Sequence, residues 1–303
     1  MTIDTLLIPT DGSNPAESAA RRGFVLAAQC DASVRVLSVA DSSVATGAGY
    51  AGDSPSIRNR LRERATNRAT SLRDEATERG LEATAATREG IPAKEIVAYA
   101  NEHDIDTIAI GTSGRGGVAR AVIGSVADKV VRTAPVPVLT ITPDAAAGDG
   151  EPTVDSILLP TDGSDTAMTA ARRGLEFATD LQATVHLLSV TDHGRDGVLS
   201  TLSGDDREGS DDRREAVADA VEALTAEARS HGLETVAEVR DGDPATEIVD
   251  YAESATVDLI AMGTAGRGGF ERYLLGSVTD KVVRTASIPV MTTRANEPGA
   301  DGE

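Results

Sequence analysis

Pro9-Thr10-Asp11-Gly12-Ser13 returns as Pro160-Thr161-Asp162-Gly163-Ser164, and Ala20-Arg21-Arg22-Gly23 returns as Ala171-Arg172-Arg173-Gly174, each at an offset of 151 residues. Later blocks return at 152: Glu95-Ile96-Val97 with Glu247-Ile248-Val249, and residues 124–134 with 276–286. Self-similarity over such a span marks a tandem duplication, with one residue gained or lost between the early and late blocks. A chain of 303 residues then holds two domains of ordinary size. They are expected at 1–143 and 153–295, with 144–152 a linker of small, polar and turn-forming residues and 296–303 a tail.

Within each copy, short apolar runs alternate with amphipathic segments. In the first, residues 5–9 read as a strand, and a helix opens at Ser13 or Asn14 with Pro15 at its first position. A strand over 34–39, a loop over 40–56 and a polar helix over 57–79 closed by Gly80 follow. Then come a weak strand over 81–88, a helix over 92–101, a strong strand over 107–110, a helix over 125–133 and a last strand over 136–141. The second copy repeats the pattern over 156–293. Such alternation predicts right-handed crossovers and an α/β, Rossmann-like architecture in each half: a five-stranded, mostly parallel sheet with helices on both faces.

Hydrophobic residues make up 40% and charged residues 26%, enough apolar material for two cores. Acids outnumber bases 49 to 29, and a net charge of -20 repels nucleic-acid backbones and anionic lipid heads, so neither is an expected partner. The single cysteine, Cys30, excludes an intrachain disulfide and reads as a small buried residue of a helix. No apolar run is long enough to span a bilayer and the first residues lack a secretory pattern, so a cytoplasmic location is expected. Only Lys94, Lys129 and Lys281 represent lysine, and the acid excess resembles that of proteins from salt-loving microbes.

After the fourth strand the chain reads Gly111-Thr112-Ser113-Gly114, nine residues, then Gly124-Ser125; the second copy reads Gly263-Thr264-Ala265-Gly266, nine residues, then Gly276-Ser277. Glycine lets backbone amides approach oxyanions without Cβ interference, and a helix starting at Ser125 offers unpaired amides at a positive dipole end. Together they can cradle a polyphosphate. In an open parallel sheet this loop and the Asp11 turn share the crevice beyond the strands' carboxyl ends. Arg115 and Arg267 are placed to neutralise phosphate charge. Read without a ligand, the glycines shape a tight turn and the serine caps a helix; Asp11 serves equally as an Asx-turn or cap residue, a role compatible with a ligand contact.

Both halves resemble the universal stress protein family, whose ATP-binding pattern is Gly, two residues, Gly, nine residues, Gly, then Ser or Thr. The resemblance implies ATP with Mg²⁺ as ligand. It assigns Asp11 and Asp162 to the adenine and ribose end and the backbones of Val39 and Val190 to the base. Gly111, Gly114, Gly124, Ser125 and Val126 go to ribose and phosphates, as do Gly263, Gly266, Gly276, Ser277 and Val278. It also implies an internal pseudo-dimer in which residues 136–141 lie against 288–293, and it leaves room for a further homodimer. With the acid excess, it points to a halophilic archaeon as the source. Ser113 is matched by Ala265, and the loops 40–56 and 191–210 share little, so the two sites are expected to differ.

Other chemistries fit less well. Neither loop has the lysine of a Walker P-loop. Residues 114–119 fit a loose dinucleotide fingerprint, but they follow the fourth strand and Glu271 breaks the match in the second copy. His103, His186, His193 and His231 lack metal-ligand spacing and read as surface or edge residues. Asp128-Lys129 and Asp280-Lys281 read as solvated helix faces, and the acid runs near 205 and 211 as solvated charge. With no general base in view, the expected role is nucleotide-dependent conformation or partner choice in stress response. The alternatives are a slow ATP hydrolase using Asp11 and Asp162, or a structural, chaperone-like protein without nucleotide.

Overall fold

The computed structural model of the chain describes residues 2–41, 55–112, 123–147, 153–191, 206–264 and 275–294. The first repeat runs β1 (Thr5–Pro9), α1 (Asn14–Gln29), β2 (Ser33–Asp41), α2 (Pro55–Glu78), β3 (Ala83–Gly90), α3 (Pro92–Glu102), β4 (Thr107–Gly111), α4 (Ser125–Thr133) and β5 (Val138–Ile141), followed by a helical turn α5 (Pro143–Ala146). The second runs β6 (Ser156–Pro160), α6 (Asp165–Leu181), β7 (Thr184–Thr191), α7 (Asp206–Ser230), β8 (Thr235–Asp241), α8 (Pro244–Ser254), β9 (Leu259–Gly263), α9 (Ser277–Thr285) and β10 (Val290–Thr293).

Each repeat is a doubly wound α/β sheet. Strand order in the first is β3-β2-β1-β4-β5, with β2/β3, β1/β2, β1/β4 and β4/β5 all parallel. The second repeats it as β8-β7-β6-β9-β10. Helix placement follows from strand alternation. On β3, Thr87 shares a hydrogen bond with Thr66 of α2, whereas the next residue, Arg88, lies over the Tyr99 ring of α3. Successive strand side chains point to opposite faces, so α2 and α3 cover opposite sides of the sheet. Arg21 of α1 donates to Glu75 of α2 at 2.6 Å, which puts α1 with α2, while α4 packs beside α3.

Strands covered on both sides are apolar throughout. Leu6, Leu7, Ile8 and Ile108 of the central strands are buried, as are Ile157, Leu158 and Ile260 in the second repeat. Helices approach these strands closely through the repeated Ala-Arg-Arg-Gly block. A Cβ at Gly23 would lie 3.0 Å from Ile8 Cδ1, and one at Gly174 would collide with Leu159 Cδ2.

Several boundaries depart from the sequence reading. The last strand of the first repeat begins at Val138, two residues late, because Pro137 has no N–H for the ladder; its carbonyl still accepts from Ile108 N at 3.0 Å. The linker's first residues form α5, whose start is capped by Thr142 accepting from Ala145 N, with Pro143 at the first helical position. Cys30 is the half-exposed residue that ends α1, not a buried helical one.

Comparing the repeats exposes a weak cap. Asp243 starts α8 by accepting from Thr246 N at 2.9 Å and from Lys281 Nζ at 2.7 Å, and these bonds hold its carboxyl down at about 2. The matching position before α3 is Ile91, which has nearly the same backbone (φ -83, ψ 116), makes no side-chain cap and leaves its side chain exposed. Ile91→Asp is therefore expected to stabilise the protein by about 1 kcal/mol, read as a higher urea midpoint at unchanged slope. A lowered midpoint would refute the assignment of Ile91 as an empty cap.

Candidate functional site

Strand order reverses between β1 and β4 in the first repeat and between β6 and β9 in the second, and it is beyond the carboxyl ends of such strands that an open α/β sheet leaves its crevice. Beyond β1 the chain turns sharply. Gly12 N donates to Thr10 Oγ1 at 3.0 Å and Ser13 N to Asp11 Oδ1 at 2.9 Å, while Ser13 Oγ caps α1 by accepting from Ala16 N. Gly12 sits at φ +74, a conformation that glycine adopts without strain. Asp11 is thus an Asx-turn residue.

The neighbouring strand supplies backbone to the same crevice. The β1 ladder ends at Pro9 opposite Leu37, and Thr10 N donates to Leu37 O at 2.8 Å. Alternation aims the N–H and C=O of Val39 at that same edge, past the point where β1 has turned away. The second repeat is built alike: Thr161 N donates to Leu188 O, Ser164 N to Asp162 Oδ1 at 3.0 Å, and Val190 lies two residues beyond Leu188.

The glycine loop is pinned at its ends. Thr112 N donates to Ile141 O at 3.0 Å, and Gly124 N returns to Thr112 O at 2.7 Å, so the start of α4 is held against the end of β4. Gly124 precedes the helix at φ -61, ψ 145 and offers no side-chain cap, which leaves the first-turn amides of Ser125 and Val126 without a capping oxygen from that residue. Ser125 is exposed and Val126 half-buried. The closure recurs where Gly276 N donates to Thr264 O at 2.8 Å. Gly111 has a packing role of its own, because a Cβ there would lie 3.2 Å from Ala19 Cβ in α1.

The profile of the universal stress protein family matches residues 2–142 and again 153–294. The chain belongs to this family. A universal stress protein of Methanocaldococcus jannaschii is 35% identical over 151 residues, which is 48% of this chain and 85% of that one. One from Mycobacterium tuberculosis is 33% identical over 212 residues, covering 67% of this chain and 66% of its own. In fold the chain is similar to a universal stress protein of Archaeoglobus fulgidus, with a TM-score of 0.70, 19% identity and 98% of both chains covered.

On this universal stress protein scaffold, Asp11, Val39, Gly111, Gly124, Ser125 and Val126 gather at the carboxyl end of one sheet, and Asp162, Val190, Gly263, Gly276, Ser277 and Val278 at that of the other. Gly114, Arg115, Gly266 and Arg267 lie outside the described residues, as do Ser113, Ala265 and His193. The repeats differ within the sites: Thr279 Oγ1 donates to Gly263 O at 2.8 Å, and Ala127 stands at the matching place in the first repeat. The other histidines have local partners. His103 stacks on Tyr99, His231 shares a hydrogen bond with Thr179, and His186 shares one with Tyr251 while burial pushes its pKa down.

One side chain at the first site escaped the sequence reading. Arg68 of α2 lies across the Asp11 turn, close enough that a Cβ at Gly12 would stand 2.6 Å from its Cδ. No spacing in the sequence signals it, because only the crossover of α2 brings residue 68 back to residue 12.

Proposed function

We propose that this universal stress protein binds ATP with Mg²⁺, one nucleotide per repeat, and acts in stress response through ligand-dependent conformation or partner choice, with little or no turnover. The observation that carries the reading is the paired closure of Gly124 on Thr112 and of Gly276 on Thr264, which presents a helix start beside an aspartate turn in each repeat. Amides there suit phosphate oxygens, and the outward backbone of Val39 and Val190 suits the edge of a base. In this reading Mg²⁺ is carried on the phosphates.

Mass spectrometry of small molecules released on denaturing the purified chain, followed by calorimetry with MgATP on the stripped protein, tests the reading. A released adenine nucleotide and saturable heat are expected, with phosphate release near background; absence of both ligand and heat would overturn it.

The same reading takes in a cytoplasmic site of action. It also includes pairing of β5 with β10 as an internal pseudo-dimer, since bare apolar edges of this kind invite aggregation. The acid-rich surface is proposed to suit concentrated salt.

A further inference from the structure

We infer that the two repeats offer electrostatically unequal sites, the first made the tighter and more salt-sensitive by Arg68 and the arginine stripe behind it. The inference rests on the nucleotide reading and adds a rank order to it. Arg68 is half-buried, and its stem fills the space beside Gly12, with Cδ 2.6 Å and Nε 2.9 Å from where a Cβ would stand. Its charge therefore sits against the turn that holds Asp11. Arg64 and Arg60 lie one and two turns earlier on the same helical stripe, both exposed. Over residues 55–72 the helix carries five arginines and a single acid, Glu63, in a chain whose net charge is -20.

The second repeat lacks this device. Aligned on Leu72 with Leu224 and Gly80 with Gly232, the places of Arg60, Arg64 and Arg68 are taken by Asp212, Ala216 and Ala220. The matching span 207–224 has three arginines against six acids. A nucleotide triphosphate approaching an acidic protein is repelled nearly everywhere, and a local basic rail raises both its encounter rate and its affinity where the rail ends. Among the described residues the rail ends at the first site.

Each site can be read alone by closing the other, using Gly276→Val to leave the first and Gly124→Val to leave the second. MgATP binding would be measured by calorimetry at the lowest KCl concentration that keeps the native circular dichroism spectrum and again at about 1 M, where the screening length is ~3 Å. At low salt the first site is expected to bind roughly tenfold tighter than the second, and to lose most of that margin at high salt. In the chain with only the first site open, Arg68→Ala should lower affinity and salt slope toward those of the second site, while Arg68→Lys, which keeps the charge, retains most of both. Equal affinities with equal salt slopes, or an unchanged slope in a folded Arg68→Ala chain, would overturn the inference while leaving ATP binding intact. No heat from the unsubstituted chain would instead remove the nucleotide reading, and this ranking with it.

Discussion

Replacing Gly124 with valine is expected to abolish ATP binding at the first repeat while the protein stays folded. The backbone at Gly124, φ -61 and ψ 145, is open to any residue, so no local conformation demands glycine. Nor does capping demand it, since serine, threonine, aspartate or asparagine would serve the helix better. On the nucleotide reading, glycine at this position leaves the amides of Ser125 and Val126 open to close approach by an oxyanion. A valine side chain there would stand between those amides and an oxyanion. An affinity loss of at least about 100-fold, about 2.8 kcal/mol, is expected at this site. Calorimetric stoichiometry should fall from two ATP per chain to one, and to none when Gly276→Val is added. The folding cost should stay within about 1 kcal/mol, a melting shift of a few degrees at most. Gly12 makes the contrast: at φ +74 with Arg68 against it, a valine would strain the backbone and displace a side chain, so Gly12→Val should lose stability first. Unchanged stoichiometry in a folded Gly124→Val chain would remove the phosphate role from α4.

Glycines that look alike in the sequence stand in different surroundings. The pattern of two glycines, nine residues and a third with serine marks Gly111 and Gly124 equally, but a Cβ at Gly111 would crowd Ala19 Cβ at 3.2 Å whatever the ligand, whereas Gly124 takes a backbone open to any residue at the start of α4. Spacing records where glycine occurs and not which neighbour excludes a side chain. What was legible came from local chemistry: Ser13 and Pro15 predict the start of α1, and α4 spans the predicted 125–133. The strand β3 was harder to read because it lies at one end of the strand order with mostly half-buried and exposed residues, so Ala83–Gly90 carries no apolar run to mark its ends. Arg68 was not legible at all. Its partner at the turn is 56 positions away in the chain, and only the doubly wound path joins them.

Lowering salt is expected to destabilise the protein strongly. An excess of 49 acids over 29 bases stores repulsion in any compact state, and the described ion pairs offset it only locally. Many of these pairs are exposed, as with Arg172–Glu227 and Arg62–Glu89, and exposed pairs contribute about 0–1 kcal/mol each. Screening is then the larger effect: the range of the repulsion shrinks from ~10 Å at 0.1 M salt to ~3 Å at 1 M. A stabilisation on the order of several kcal/mol between those conditions corresponds to a rise in melting temperature of roughly 10 °C or more for repeats of this size. Thermal melts in KCl measure it, with an uncharged osmolyte at matched osmolarity as the control, because preferential exclusion stabilises any folded protein without regard to its charge. A rise in KCl that the osmolyte does not reproduce identifies carboxylate repulsion as the cause. Melting temperatures that stay flat across the series would show that the acidic surface is tolerated without salt, and the proposed fit to concentrated salt would fall while the fold and the nucleotide sites stood.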